Sequence, residues 1–284
     1  MEELDQQLLA KFIVEALAED VGDGDHTSLA CIPSGNRNTA ELIVKDVGVL
    51  AGVEIAKRIF NHVDPDSTVT VFIEDGTDVD MKDIAFEVEC NSRALLQAER
   101  LVLNTMQRMS GIATLSSRFA VEVEDMPVKI LDTRKTTPLL RFLEKYAVRI
   151  GGCHNYRDGL YDWIMIKDNH IDACGSITAA VEHANTYLKE NDLELGITVE
   201  VRNLVELHEV LKVGNVTRIM LDNFELPLLE EAVKVIDGRF QVEASGGVTL
   251  QSVRKIAETG VHYISSGALT HSAGSIDLSL KIKK

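Results

Sequence analysis

The sequence predicts an α/β protein made of an N-terminal α+β domain with a mostly antiparallel sheet and a parallel α/β barrel. From about residue 128, short apolar strands alternate with amphipathic helices. Polar residues recur near the strand ends at intervals of 22, 21 and 22 residues, at Glu200, Asp222, Glu243 and Ser265. This interval is the length of one βα unit, and repeated βα units build either a doubly wound sheet or a barrel.

A barrel is favoured over a doubly wound sheet for two reasons. Successive strands carry polar residues at their carboxyl ends, where a barrel collects its active-site groups, and no glycine-rich dinucleotide motif follows the first strand. We predict that the barrel domain covers residues 114–266. Its predicted strands are 128–132, 147–150, 164–166, 197–201, 218–221, 241–244 and 263–265.

Residues 1–113 are predicted to form the N-terminal domain, to which the segment 267–284 returns. Apolar residues at helical spacing from Leu4 to Leu17 predict an opening amphipathic helix. A long helix is expected to begin at Ser92 and to end at Ser110-Gly111. Between the two helices the sequence predicts short strands near residues 39–45, 68–73 and 84–89.

Charge and cysteine content exclude several classes of partner. The chain has 45 acidic and 29 basic residues, a formal charge of -16, which repels nucleic acid and anionic membranes. Its four cysteines form no C-x-x-C pair, the N-terminus is acidic, and no apolar run reaches the length of about 20 residues that spans a bilayer. We therefore expect a cytoplasmic protein with no nucleic-acid or membrane partner.

Basic residues follow the first three predicted barrel strands. Arg134 and Lys135 lie after the first strand, Arg157 after the second, and Lys167 directly after the third. A solvated turn would also tolerate basic residues, but a lysine that follows apolar strand residues is costly without an anionic partner. The convergence of these cations in an acidic chain predicts a local anion-binding site.

The later strand ends carry carboxylates and then small residues. Glu200 and Asp222 suit hydroxyl groups or Mg²⁺, which takes one or two carboxylates plus substrate phosphates, or else structural ion pairs with the same lysines. The backbone amides of 245–247 and 265–267 are suited to cradle a phosphate. Together these residues predict a polyanionic ligand, such as a phosphosugar that reacts with a carboxylated partner.

Seven ordered motifs resemble the quinolinate phosphoribosyltransferase family over nearly the whole chain. They are Ser110-Gly-Ile-Ala-Thr114, Asp132-Thr-Arg-Lys-Thr136, Ile166-Lys-Asp-Asn-His170, Val199-Glu-Val201, Met220-Leu-Asp-Asn-Phe224, Glu243-Ala-Ser-Gly-Gly247 and Gly267-Ala-Leu-Thr-His-Ser272. The resemblance implies transfer from 5-phosphoribosyl 1-diphosphate to quinolinate with Mg²⁺, giving nicotinate mononucleotide, CO₂ and diphosphate in NAD biosynthesis. The fold that it implies is an N-terminal α+β sandwich domain plus an incomplete parallel α/β barrel. It also implies head-to-tail homodimers with shared active sites, or a hexamer built from them.

The resemblance also implies the roles of individual residues. Quinolinate carboxylates would be held by Arg134, Arg157 and Lys167, with Arg100 reaching in from the partner subunit. Lys135, Glu200 and Asp222 form the implied catalytic set, and Glu200 and Asp222 the metal ligands. The implied substrate-binding set is Arg100, Thr133, Arg134, Lys135, Arg157, Lys167, His170, Glu200, Asp222, Ser245, Gly246, Gly247, Ser266, Gly267 and Ala268.

Three positions depart from the pattern, since the family commonly has Gly, His and an acidic residue where this chain has Cys153, Tyr156 and Arg202. We expect Tyr156 to orient the acceptor through its hydroxyl or its ring. Three alternatives stay open: a related phosphoribosyltransferase for another pyridine acid or azole, a Schiff-base aldolase, and a phosphate-binding regulatory module. The aldolase would use Lys135 or Lys167, and the regulatory module would not need Glu200 or Asp222.

Overall fold

The computed structural model describes residues 5–283, so predictions that fall on residues 1–4, including Leu4, and on residue 284 lie outside it. The chain divides into two compact units. The N-terminal unit contains the residues up to Ser117, Thr137–Gly152 and the residues from Ser272 onward. The parallel-sheet unit contains Arg118–Thr136 and Cys153–His271.

The first part of the chain alternates helices with short strands and ends in a long helix. In order, its elements are α1 (Gln6–Val21), α2 (His26–Cys31), β1 (Arg37–Val44), β2 (Gly48–Val49), α3 (Val53–Val63), β3 (Thr68–Val71), β4 (Asp78–Val79), β5 (Ile84–Asn91) and α4 (Ser92–Val121).

The second part of the chain is a succession of parallel strands and helices, closed by one strand that returns to the N-terminal unit. In order, its elements are β6 (Lys129–Leu131), α5 (Arg141–Ile150), β7 (Ile164–Ile166), α6 (Asp168–Cys174), α7 (Ile177–Glu190), β8 (Ile197–Val201), α8 (Leu204–Val213), β9 (Arg218–Asp222), α9 (Leu226–Ile236), β10 (Gln241–Ser245), α10 (Val253–Glu258), β11 (Tyr263–Ser265), α11 (Ala268–His271) and β12 (Leu278–Ile282).

The N-terminal unit is built on an antiparallel sheet with the strand order β12-β1-β5-β3. Alternate residues of β1, namely Ala40, Leu42 and Val44, are fully buried, as expected for a strand with one face on a core. Phe60 of α3 meets Phe86 of β5 edge to face, with the ring centroids 6.1 Å apart. The last strand, β12, pairs with β1 and so brings the end of the chain back to this sheet.

The parallel-sheet unit has six strands in the order β6-β11-β10-β9-β8-β7. Every residue of β8 is buried, which is typical of a parallel sheet covered on both faces. The order follows the chain in one direction and returns to β6 after β11, as in a barrel, whereas a doubly wound sheet reverses its direction. Among the described strands β6 and β7 are not paired, so the barrel is incomplete. The predicted fold class is confirmed.

Two sequence predictions are wrong in detail. The segment 147–150, predicted as a barrel strand, is the last turn of α5, because the apolar Leu143 and Ala147 are spaced by four residues and are buried on one helix face. Helix α4 does not stop at Ser110-Gly111 but continues to Val121. Gly111 serves close packing rather than termination, since a Cβ there would lie 1.8 Å from the carbonyl oxygen of Gly274.

Candidate active site

The carboxyl edge of the parallel sheet collects nearly all of the predicted site residues. In a parallel sheet the carboxyl ends of all strands lie at one edge. Residues 133–135 follow β6, Lys167 follows β7, Glu200 and Asp222 lie at the ends of β8 and β9, and the glycine loops follow β10 and β11. Arg100 belongs to the N-terminal unit, where it is exposed on α4.

Lys167 and Glu200 form an ion pair between Nζ and Oε2 across the neighbouring strands β7 and β8. The lysine side chain is 41% exposed and the glutamate side chain 10% exposed. For Glu200 the structure thus has the ion pair that was one of the two alternatives. A ligand that binds to either side chain has to break this ion pair, so the charge of each group affects how strongly the other binds a ligand.

The start of α6 is fixed by His170. The ring nitrogen Nδ1 of His170 accepts a hydrogen bond from the backbone N–H of Lys167 at 3.0 Å. The backbone N–H of His170 donates to the Lys167 carbonyl oxygen at 2.9 Å. An accepting Nδ1 leaves the proton of the neutral ring on Nε2. His170 therefore orients the backbone that carries Lys167.

Arg134 and Arg157 bring two guanidinium groups to the same edge. Burial lowers the pKa of Arg157, and the positive charge of Arg134 lowers it further. Arg157 is half-buried, and its Nη1 donates to the carbonyl oxygen of Trp163 at 3.2 Å. Two guanidinium groups that repel each other and are partly shielded from water are stabilised when an anion binds between them, so Arg134 and Arg157 are suited to bind an anion.

The loop after β6 is held by hydroxyl groups. The Oγ1 of Thr133 accepts from the N–H of Lys135 at 3.1 Å, and the Oγ1 of Thr270 donates to the Lys135 carbonyl at 2.8 Å. These bonds fix the backbone of Lys135, whose residue is exposed. The side chain is thus presented from an ordered loop next to α11.

Asp132, which sequence reasoning did not assign to the site, organises the segment before Arg157. It is fully buried at the end of β6, and its carboxylate accepts from the N–H of Tyr156 at 2.8 Å and from the side-chain amide of Asn155. Its position directly after an apolar strand is the same signal that singled out Lys167. A buried acid that accepts two N–H bonds acts here as a positioning residue.

The loops after β9 and β10 are interlocked. The Oδ2 of Asp222 accepts from the side-chain amide of Asn223 at 2.6 Å, and the N–H of Asn223 donates to the Ser245 carbonyl at 2.9 Å. Gly246 has φ +93°, and a Cβ on it would lie 2.3 Å from Oδ1 of Asn223. Glycine is therefore required at this position, and the orientation of Asp222 depends on it.

The loop after β11 forms hydrogen bonds within the parallel-sheet unit. The N–H of Ser266 donates to the Leu131 carbonyl at 3.0 Å, and its hydroxyl donates to the Val248 carbonyl at 3.3 Å. Ser265 turns inward and donates to Glu243. Gly267 and Ala268, at the start of α11, are half-buried beside Lys135.

The three departures from the family pattern have different environments. Burial raises the pKa of the Cys153 thiol to about 12, so this cysteine is a poor nucleophile. Arg202 is exposed, and its guanidinium donates twice to Glu206 on α8. Tyr156 turns its hydroxyl into the barrel interior, where it lies 2.7 Å from Oγ1 of Thr198. This internal hydrogen bond fixes the hydroxyl, and the orientation of the acceptor by the hydroxyl or the ring of Tyr156 stays a prediction.

No group of three or more His, Cys, Asp and Glu side chains within residues 5–283 could hold a metal ion. Glu200 and Asp222, which end adjacent strands, fit a metal that takes its other ligands from a substrate. None of the helices within these residues is both long and apolar enough to cross a membrane.

Comparison with known proteins identifies the family of the chain. Residues 25–110 match the family model "Quinolinate phosphoribosyl transferase, N-terminal domain", and residues 112–281 match its C-terminal counterpart. "Quinolinate phosphoribosyltransferase [decarboxylating] 1b" of Nicotiana tabacum is 48% identical over 94% of this chain and 80% of its own length. A "Probable nicotinate-nucleotide pyrophosphorylase [carboxylating]" of Bacillus subtilis is 41% identical over 96% of this chain and 93% of its own length.

Solved structures show the same relationship. NadC from Streptococcus pyogenes superimposes with a TM-score of 0.93 at 36% identity, covering 100% of both chains. The nicotinate-nucleotide pyrophosphorylase of Ehrlichia chaffeensis gives a TM-score of 0.92 at 37% identity, again over 100% of both chains. The resemblance seen in the seven motifs is confirmed, and the chain belongs to the quinolinate phosphoribosyltransferase family.

Proposed function

We propose that the protein transfers the phosphoribosyl group of 5-phosphoribosyl 1-diphosphate to quinolinate and releases CO₂ and diphosphate, leaving nicotinate mononucleotide for NAD biosynthesis. The observation that carries this proposal is the meeting of Arg134 and Arg157 at the edge that also holds the Lys167–Glu200 pair. This edge offers cations for a dicarboxylate and carboxylates for a sugar donor. Family membership supports the same reaction.

The residues act by position and charge. Arg134, Arg157 and Lys167 hold the acceptor carboxylates, so that the pyridine nitrogen faces the anomeric carbon of the donor. Lys135 stabilises charge on the departing diphosphate, while Glu200 and Asp222 stabilise the positive charge that develops on the ribose. The ring nitrogen, once alkylated, stabilises the carbanion that CO₂ leaves behind. A nucleophilic side chain is not needed.

Mg²⁺ is the proposed cofactor, held by Glu200 and Asp222 together with the donor. When bound, it neutralises charge on the diphosphate. Glu200 can take part only after it has left Lys167, and Lys167 is then available for an acceptor carboxylate. The backbone of residues 245–247 and 266–268 is proposed to receive the 5-phosphate.

The assay for this function measures CO₂ and diphosphate after quinolinate and donor are mixed with the protein and Mg²⁺. Stoichiometric release of both supports the proposal, and release of neither contradicts it. Nicotinate and other pyridine acids as competing acceptors test the related phosphoribosyltransferase. Borohydride treatment in the presence of substrate traps Lys135 or Lys167 only if the chemistry is that of a Schiff-base aldolase.

We further propose a cytoplasmic homodimer in which Arg100 completes the partner's site. A guanidinium exposed on α4 suits carboxylate capture across an interface, and two-fold symmetry presents it twice. Arg100→Ala and Lys135→Ala should each be inactive alone. Co-refolded one to one, they should regain about a quarter of the wild-type sites, since half of the randomly paired dimers are mixed and each has one intact site. No recovery, with subunit exchange confirmed by mass spectrometry, contradicts the proposal.

A further inference from the structure

We propose that a buried cluster around Arg218 positions Arg157 to receive the acceptor, so that this cluster sets the affinity for the acid. The proposal rests on the function proposed above and adds a set of positioning residues beneath the site. The Arg218 cluster consists of Arg218, Tyr156, Thr198, Trp163, Glu243 and Tyr263.

The centre of the cluster is a cation enclosed by three rings. The guanidinium carbon of Arg218 lies 3.7 Å from the ring centroid of Tyr263, 4.9 Å from that of Tyr156 and 5.5 Å from that of Trp163. The Arg218 side chain is only 7% exposed. Aromatic faces attract a cation most strongly where water is excluded.

A buried carboxylate balances this cation. Nη1 of Arg218 donates to Oε2 of Glu243 at 2.9 Å, and Ser265 donates to the other carboxylate oxygen. The side chain of Glu243 is fully buried. A buried pair of this kind is costly to break but contributes little net stability, so an apolar filling would serve the core equally well. Its directional contacts instead define where the surrounding rings lie.

Thr198 joins two of the rings. Its Oγ1 lies 2.7 Å from the hydroxyl oxygen of Tyr156 and accepts from Nε1 of Trp163 at 2.8 Å. Thr198 precedes Glu200 by two residues on β8, so it lies about 7 Å below the carboxyl edge on the same face of the strand. The two rings meet at an interplanar angle of 65° with centroids 6.1 Å apart.

Both anchored residues hold Arg157. Tyr156 precedes it in the chain, and the carbonyl oxygen of Trp163 accepts from its Nη1 at 3.2 Å. The backbone of Tyr156 is fixed at the edge by Asp132, and its side chain is fixed in the interior by Thr198. The segment 156–163 is thus tied down at two ends, and Arg157 lies between them as its only cation, with Asp158 and Asp162 as its carboxylates.

The decisive variant is Thr198→Val, which keeps the shape of the side chain and removes the hydroxyl that joins the two rings. We expect the KM and the directly measured Kd for quinolinate to rise about tenfold to a hundredfold, as for a binding group that is displaced by about 1 Å. The KM for the phosphoribosyl donor should change by no more than about threefold. Thr198→Ser keeps the hydroxyl and should therefore restore the affinity for quinolinate. Thr178→Val is the matched control, because it removes a half-buried hydroxyl bond from α7 to Glu209 on α8.

Trp163 is the only tryptophan of the chain, so its fluorescence reports on the cluster directly. Thr198→Val should shift its emission, whereas Thr178→Val should not. A shifted emission with unchanged quinolinate Kd would overturn the proposal, as would an unshifted emission. Equal losses of donor and quinolinate affinity would assign the cluster a purely structural role and also overturn it. Failure of the wild-type protein to convert quinolinate would instead contradict the proposed function.

Discussion

Glu200→Gln separates the two roles that meet in the Lys167–Glu200 pair. The substitution keeps the size of the side chain and removes its charge, so Lys167 loses its counterion. Because Lys167 is proposed to hold an acceptor carboxylate, quinolinate no longer has to compete with Glu200 for it. We therefore expect tighter binding of quinolinate alone, together with a large loss of turnover.

The size of the effect follows from the exposure of the pair. Lys167 is 41% exposed and Glu200 10% exposed, so water screens the interaction from the lysine side. A pair of this kind contributes about 1 kcal/mol, at the upper end of the range for exposed pairs. Released to the ligand, this energy tightens the Kd of quinolinate about fivefold.

Calorimetric titration of quinolinate in the absence of donor measures the change. Glu206→Gln is the matched control, since Glu206 on α8 forms an ion pair with the exposed Arg202. The loss of that pair should leave the Kd of quinolinate unchanged. If Glu200→Gln weakens quinolinate binding as much as it lowers activity, Glu200 belongs to the acceptor side. In that event the assignment of donor and metal to Glu200 is wrong.

Two further predictions concern the glycine loop and the N-terminal unit. Gly246→Ala, measured by KM for the donor and by thermal unfolding, should weaken donor binding and cost about 1–3 kcal/mol of stability, because φ +93° is unfavourable for alanine and its Cβ would collide with Asn223. The hydrogen bond from the N–H of Asn91 lowers the pKa of Asp64 below its ordinary value of 3.8. The ionised Asp64 therefore stabilises the fold above pH 3.8, and this stabilisation is lost as the pH falls through the lowered pKa and the carboxylate is protonated. Asp64→Asn should flatten this acid dependence of Tm, and an unchanged dependence would contradict it.

The strands were predictable because a parallel sheet covered on both faces needs short, continuous apolar runs. The predicted bounds of β7, β8 and β11 agree with the structure residue for residue. The same signal misled at 147–150, where four residues do not distinguish a strand from one turn of a buried helix. Gly111 led to the wrong prediction that α4 ends there. A glycine that allows a neighbouring backbone segment to pack closely cannot be distinguished in the sequence from a glycine that ends a helix.

The candidate site was predictable as a set of strand ends but not as a set of contacts. Counting along βα units places Lys167, Glu200 and Asp222 at one edge. Their individual partners follow from side-chain directions that no spacing provides, and for this reason the ion pair of Glu200 remained one of two alternatives. Asp132 follows an apolar strand as Lys167 does, but it was overlooked because its positioning role depends on N–H partners that only the structure shows.

Tyr156 shows most clearly what the sequence could not provide. A residue-by-residue resemblance marks it as a departure, but the direction of its hydroxyl depends on Thr198, Trp163 and Arg218, which lie 42, 7 and 62 residues further along the chain. One of these partners, Arg218, is a buried cation beneath the carboxyl edge, where a charge persists only with complete pairing. An unusual residue beside a family motif is therefore interpretable only together with the interior contacts that accommodate it. In this chain those contacts lead back to Arg157, the residue that is proposed to hold the acceptor.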